Sequence, residues 1–180
     1  MTLKAIIHMI KRGKKMAKLK YISPDELPQA LRRKLIKDFF ISEKDVRERV
    51  GNYLKNDGWK ELSEEDWRRI SDLVGRPDFY PDVILKKDRT IFCIECKGSS
   101  KGLHKVANEL KALYDALGKI VSKMVSHKNW RYAITLPSYF KDNVRKYIPE
   151  RIRNLLKLEI FLVDQEGMVV RLRPMGVAKG

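Results

Sequence analysis

Cysteine and long apolar segments are scarce in this 180-residue chain, and each scarcity excludes a class of protein. The two cysteines, Cys93 and Cys96, cannot build a disulfide framework, which agrees with a reducing compartment. No apolar segment approaches the roughly 20 residues that span a bilayer. The apolar stretch at residues 5–10 is too short for a signal-peptide core, and its charges follow it. We therefore expect a cytoplasmic protein.

Acidic residues are outnumbered by basic ones, 23 Asp and Glu against 39 Lys and Arg, which gives a net charge of +16. Such an excess favours a polyanionic partner, and nucleic acid is the usual one. A ribosomal or membrane-surface protein would carry the same charge. Gln29 and Gln165 are the only glutamines, whereas Lys, Glu and Arg abound, a balance found in thermophilic proteins.

The two cysteines have the C-x-x-C spacing of redox and zinc sites, but their surroundings argue against both. They lie in residues 90–97, whose β-branched and aromatic residues predict a strand. Residues three apart on a strand point to opposite faces, and no second cysteine pair could complete a zinc site. We therefore assign no chemistry to either thiol.

Two segments of different character divide the chain. Residues 1–41 form a basic N-terminal extension that includes a predicted helix beginning near Pro24, and residues 42–175 form one folded domain. The first 20 residues contain lysine and arginine but no acid, which is typical of a flexible arm on nucleic acid. An extension before a true start at Met16 is equally compatible with them.

Alternating helix and strand patterns run through the second segment. Helices are predicted from Ser42 to Gly58 and from Ser63 to Val74, and one strand or extended link lies between them. Ser42 is the expected N-cap of the first helix, and Asp45 gives an acidic variant of the capping box. The remaining predicted helices cover residues 103–124 and 139–155, and the predicted strands cover residues 82–85, 90–97, 130–136, 158–163 and 168–172. This order predicts an α/β fold, in which a mixed central β-sheet is flanked by helices.

Three residues of the predicted hairpin carry the chemistry. Glu95 and Lys97 are two apart on one strand and therefore share a face, opposite to Cys96. Asp82 lies at the entry of the paired strand, where a tight hairpin brings its carboxylate beside that of Glu95. Two adjacent carboxylates repel each other unless a cation lies between them, and such oxygen ligands suit Mg²⁺ or Mn²⁺. Lys97 is then placed to orient water or to neutralise charge on a phosphoryl group.

The residues Pro81-Asp82 and Glu95-Cys96-Lys97 resemble the motif of the PD-(D/E)xK nuclease superfamily. The order of elements from about residue 42 to 164 is similar to its restriction-endonuclease-like αβββαβ core, as in the VRR-NUC, Mrr-like and archaeal Holliday-junction-resolvase-like branches. The resemblance implies a Mg²⁺-dependent DNA endonuclease, in which Mn²⁺ substitutes and which acts as a homodimer. It also implies that Glu43 and the main-chain carbonyl of Cys96 join Asp82 and Glu95 as metal ligands.

Several alternatives stay open. Asp78, in the earlier pair Pro77-Asp78, competes with Asp82, but a proline three residues later disfavours a central strand there. Glu43 shares a helix face with Val46 and Val50 and is therefore expected to point inward, whereas Glu48 lies off that face and is the second choice. Basic residues around the site are expected to bind nucleic acid: Arg76, Lys101, Lys105, Lys119 and Lys123. The motif is also compatible with a surface hairpin carrying a Glu–Lys pair, with a non-catalytic nucleic-acid-binding module, and with an RNA-processing nuclease.

Overall fold

The computed structural model describes residues 40–74, 80–99, 106–125 and 128–174. The predictions for the N-terminal extension, other than its last two residues, lie outside the described residues. So do those for Arg76, Asp78, Lys101 and Lys105, and for the start of the helix that follows the hairpin. None of the described helices is both long enough and apolar enough to cross a membrane.

The predicted α/β fold is confirmed: helices flank a six-stranded mixed sheet in the order β1-β2-β3-β4-β5-β6. The strands are β1 (Lys60–Glu61), β2 (Val83–Lys87), β3 (Thr90–Cys96), β4 (Trp130–Pro137), β5 (Leu158–Val163) and β6 (Val169–Leu172). The helices are α1 (Glu43–Asn56), α2 (Glu64–Val74), α3 (Val106–Ser122), α4 (Lys141–Tyr147) and α5 (Glu150–Leu156). Strands β3, β4 and β5 are parallel neighbours, and the other three pairings are antiparallel.

Strand β3 lies inside the sheet, between β2 and β4, and both of its faces are covered. Cys96 belongs to the apolar cluster that contains Val46 and Val50 of α1. Cys93 belongs to the opposite cluster, with Leu113 of α3. The two thiols therefore point to opposite faces, as predicted, and burial raises the pKa of both above the ordinary range.

The start of α1 is fixed both by its own sequence and by the exit of β3. Ser42 and Asp45 form the predicted capping box, in which the Asp45 N–H donates to Ser42 Oγ at 3.1 Å. The Ser99 N–H donates to the Ile41 carbonyl at 2.7 Å. Between β3 and Ser99, Gly98 lies against the helix start so closely that a Cβ atom would be 2.2 Å from the Glu43 nitrogen.

The prediction of a single helix over residues 139–155 is wrong. The chain forms a 3-10 turn over Ser138–Phe140, followed by α4 and α5, with a break between the two helices. Pro149 causes the break, since its ring removes a backbone donor and disfavours the helical conformation of the residue before it. Ile148 accordingly has φ −124° and ψ 64°.

We expect Gly98→Ala to destabilise the protein by roughly 1–3 kcal/mol, because the new methyl group meets backbone atoms that cannot rotate away. Gly118→Ala is the matched control. Nothing lies within 4 Å of a Cβ at Gly118 in α3, so alanine should stabilise the helix there by up to about 1 kcal/mol. Urea unfolding followed by circular dichroism measures both, and equal stability of the two variants would contradict the close approach at Gly98.

Candidate active site

The β2–β3 hairpin brings Asp82 and Glu95 together. Val83 pairs with Ile94, so Asp82, one residue before β2, lies beside Glu95 on the neighbouring strand. Asp82 Oδ2 accepts a hydrogen bond of 2.7 Å from the N–H of Cys96. The negative charge of Asp82 acts on the Glu95 carboxylate and contributes to raising its pKa. The predicted neighbourhood of the two carboxylates is therefore present.

Glu95 is an acidic side chain in the interior of the protein, only 2% exposed. Its Oε1 accepts a hydrogen bond from the ammonium of Lys123, which follows α3. The same ammonium donates to the main-chain carbonyl of Tyr80 at 2.9 Å. Burial raises the pKa of Glu95, and the Asp82 charge adds to this effect, whereas the hydrogen bond from Lys123 opposes it. The net pKa lies above the ordinary value.

Lys97 follows the last residue of β3 and is held by α3. Its ammonium forms an ion pair of 2.7 Å with Asp115 Oδ2, and Lys119 Nζ lies 3.6 Å from the same oxygen. Burial by itself lowers the pKa of Lys97, but the hydrogen bond and charge of Asp115 and the charge of Glu43 outweigh it, so the pKa is raised. The hydrogen bond from Lys97 in turn lowers the pKa of Asp115.

Glu43 does not point inward, which corrects the expectation drawn from its spacing to Val46 and Val50. Its side chain is 45% exposed and accepts a hydrogen bond of 3.1 Å from Arg47. The Arg47 guanidinium, one helical turn later, holds the Glu43 carboxylate at the protein surface. Arg47 also donates to Asp82 Oδ1 at 2.6 Å, so Glu43 is linked to Asp82 through one guanidinium.

Asp82 and Glu95 are carboxylates that adjoining strands bring side by side in the described part of the chain. No group of three or more His, Cys, Asp or Glu side chains surrounds a common point within the described part of the chain. Mg²⁺, however, commonly keeps several waters and binds through one or two carboxylates. The N–H and C=O of one strand residue lie on the same side, so the Cys96 carbonyl faces the Asp82 side. This donor set is compatible with Mg²⁺ or Mn²⁺.

The lysines expected to bind nucleic acid differ in their surroundings. Lys119 is exposed on α3, beside Asp115. Lys123 is only 16% exposed, and its ammonium is directed at Glu95. The sequence did not indicate two ion-pair partners of the candidate residues, which are Arg47 at Asp82 and Asp115 at Lys97. Both are distant in sequence from the groups they bind, and no local pattern marks them.

An open groove of about 610 Å³ leads away from Asp82 between α1, β2 and the start of α2. Its ionisable lining consists of Lys44, Arg47, Lys55, Glu48, Glu61, Glu64 and Asp82. Three cationic groups face four anionic ones, so the groove does not carry the excess positive charge of the whole chain. Glu48, the second choice for a metal ligand, is exposed in this groove and is not among the contacts of Asp82 or Glu95 that the structure shows.

In comparisons with known proteins, no family model, no curated protein and no solved structure matches the chain.

Asp115→Asn should lower the pKa of Lys97, since the hydrogen bond and charge that oppose its burial are removed. Because the pKa of Lys97 is raised in the folded protein, the Lys97 ammonium stabilises the fold at pH values below its ordinary pKa of 10.5. This stabilisation is lost as the pH rises through the pKa of the folded state. Because the pKa of Asp115 is lowered, its carboxylate stabilises the fold at pH values above its ordinary pKa of 3.8. This stabilisation is lost as the pH falls through the pKa of the folded state. The variant should therefore be less stable between these limits, by about 0.5–1 kcal/mol after solvent screening.

NMR titration of the lysine Nζ resonances in metal-free protein measures the pKa, and urea unfolding across pH measures the stability. Glu166→Gln is the control, because Glu166 is exposed in the turn between β5 and β6. An unchanged Lys97 titration in Asp115→Asn would show that Asp115 does not hold this ammonium.

Proposed function

We propose that the protein is a Mg²⁺-dependent endonuclease that hydrolyses phosphodiester bonds of DNA. The observation that carries the proposal is the position of Asp82 beside Glu95 on adjoining strands, with Lys97 two residues beyond Glu95. This arrangement supports the resemblance to the PD-(D/E)xK nucleases that the motif suggests. Further support comes from the element order, since a β-hairpin is followed by α3 and by a strand parallel to β3.

Asp82, Glu95 and the Cys96 carbonyl would hold the cation. A bound divalent ion would supply Lewis acidity toward a phosphoryl oxygen and would increase the acidity of a bound water. The Cys96 N–H and Arg47 each bind one oxygen of Asp82, which fixes the orientation of its carboxylate. Asp115 holds the Lys97 ammonium at the same end of β3, where a positive charge stabilises the negative charge that develops on a phosphate.

The net charge of +16 supports a polyanionic substrate, and its long-range attraction makes binding steeply dependent on salt. The charge does not distinguish DNA from RNA, so the test of the proposal includes RNA as a substrate. Because cationic and anionic side chains are nearly balanced in the groove beside Asp82, this groove is poorly suited to bind the phosphate backbone of a nucleic acid. A homodimer that cuts both strands belongs to the same proposal.

A second candidate is a nucleic-acid-binding module without catalytic activity. It is favoured by the ion pairs of both carboxylates, Asp82 with Arg47 and Glu95 with Lys123. Carboxylates paired in this way would also be stable in a protein that never binds a metal. Binding with steep salt dependence, but with no metal-stimulated cleavage, would distinguish this module from the nuclease.

We expect Asp82→Asn, Glu95→Gln and Lys97→Met each to lower the cleavage rate by roughly 100-fold or more, since each removes a charge from the reacting centre. Cleavage of duplex, branched and single-stranded DNA, and of RNA, with Mg²⁺ measures the rate and the substrate preference. Asp72→Asn is the matched control, because Asp72 is exposed on α2 and outside the site. Equal cleavage by the wild type and all three site variants would contradict the proposed function.

A further inference from the structure

Two carboxylates are buried in the described part of the chain, and their counter-ions differ. Glu159 on β5 is 1% exposed and is held by two arginines. Arg131 Nε donates to its Oε1 at 2.9 Å, and Arg171 Nε donates to its Oε2 at 2.6 Å. Both guanidinium groups also lie over the ring of Phe92. The two rigid, planar guanidinium groups, which also stack on an aromatic ring, form a stable structural ion pair with Glu159.

Glu95 has a different kind of counter-ion. The cation that the structure shows on its carboxylate is the ammonium of Lys123, a compact and strongly hydrated charge on a flexible stem. Lys123 lies in the turn after α3, and its ammonium has a second acceptor, the Tyr80 carbonyl at 2.9 Å. The side chain of Lys123 is 16% exposed to solvent, whereas that of Glu95 is 2% exposed. A path to solvent therefore exists on the lysine side.

The Lys123 ammonium and a divalent cation would compete for the charge of the Glu95 carboxylate, whose Oε1 accepts the hydrogen bond of the ammonium. Charges of +1 and +2 a few ångströms apart repel strongly in a poorly screened interior. Displacement of the ammonium therefore favours metal binding to Glu95. The displaced ammonium can move toward solvent, where a substrate phosphate would accept a charge-assisted hydrogen bond from it.

We propose that Lys123 is a displaceable counter-ion of Glu95 which couples metal binding to the binding of a nucleic-acid phosphate. The inference rests on the proposed function. In the metal-free protein the ammonium neutralises Glu95 and weakens the affinity for the metal. When substrate is present, a phosphate oxygen accepts the displaced ammonium and the metal takes its place on Glu95. By thermodynamic reciprocity, metal then strengthens phosphate binding by the same factor, and couplings of this kind are typically 5- to 150-fold.

Lys123 is therefore a positioning residue rather than a catalytic residue in this inference. It determines when the site accepts a metal and places a positive charge toward the substrate backbone. The coupling favours occupation of the metal site by protein that already holds substrate. A purely structural lysine would stabilise the fold through Glu95 but would not link the two binding equilibria.

The test compares Mn²⁺ affinity, measured by electron paramagnetic resonance, in the wild type and two variants without nucleic acid. Lys123→Gln keeps a hydrogen-bond donor but removes the charge, so Mn²⁺ should bind about 10-fold more tightly. Lys123→Arg places a bidentate guanidinium on Glu95, so Mn²⁺ should bind about 10-fold more weakly. Lys111→Gln removes an exposed charge on α3, about three helical turns before Lys123, and should shift the affinity less than about twofold.

A second readout is the affinity for a labelled 20-base-pair phosphorothioate duplex, measured by fluorescence anisotropy at constant ionic strength with Mn²⁺ and with EDTA. Mn²⁺ should tighten binding by the wild type about 10-fold more than it tightens binding by Lys123→Gln, because the metal itself attracts phosphate in both proteins. Circular dichroism establishes folding. If Lys123→Gln does not fold, the Mn²⁺ affinity of Lys123→Arg decides the outcome.

Mn²⁺ affinity that is unchanged or weaker in folded Lys123→Gln overturns the inference, as does unchanged or tighter binding by Lys123→Arg. The proposed function survives either result if the wild type binds Mn²⁺ and Glu95→Gln does not. Failure of all chains to bind Mn²⁺, with and without the duplex, would remove the metal site itself and with it both proposals. The two failures are therefore distinguishable.

Discussion

The carboxylate of Glu95 lies in the interior of the protein, and its need for a compensating cation governs the arrangement around it. Strand β3 is covered on both faces, so a charged residue at this position loses nearly all of its contact with water. An ion in such surroundings persists only with a partner or with a shifted pKa. Both effects are present, since Lys123 binds Glu95 and burial raises its pKa. The end of α3 is thereby tied to the middle of the sheet.

The opposite end of the site depends on a close backbone approach. Gly98 allows the chain leaving β3 to lie against the first residue of α1, which no larger residue would permit without movement. Arg47, on the same helix, forms ion pairs with both Asp82 and Glu43. The orientation of Asp82 therefore depends on the packing of a helix that begins 39 residues earlier in the chain. Folding and site geometry are coupled at this point.

Much of the architecture could be predicted, because it depends on local patterns. Alternation along β3 correctly separated Cys93 from Cys96 and placed Glu95 on the opposite face from Cys96. Ser42 and Asp45 correctly marked the start of α1. The helix expected across residues 139–155 was wrong, although Pro149 carried the local signal for the break. The proline nitrogen carries no hydrogen to donate to the helix, and its ring disfavours the helical conformation of the residue before it.

The sequence by itself determined the fold class, the faces of the strands and the neighbourhood of Asp82 and Glu95, since these follow from strand periodicity and a short hairpin. The tertiary structure decided which cationic side chain binds each of the two carboxylates. Arg47 reaches Asp82 across 35 positions of the chain, and Lys123 reaches Glu95 across 28. Such pairs depend on how helices pack on the sheet, and a linear pattern does not encode the distance between side chains on separate elements.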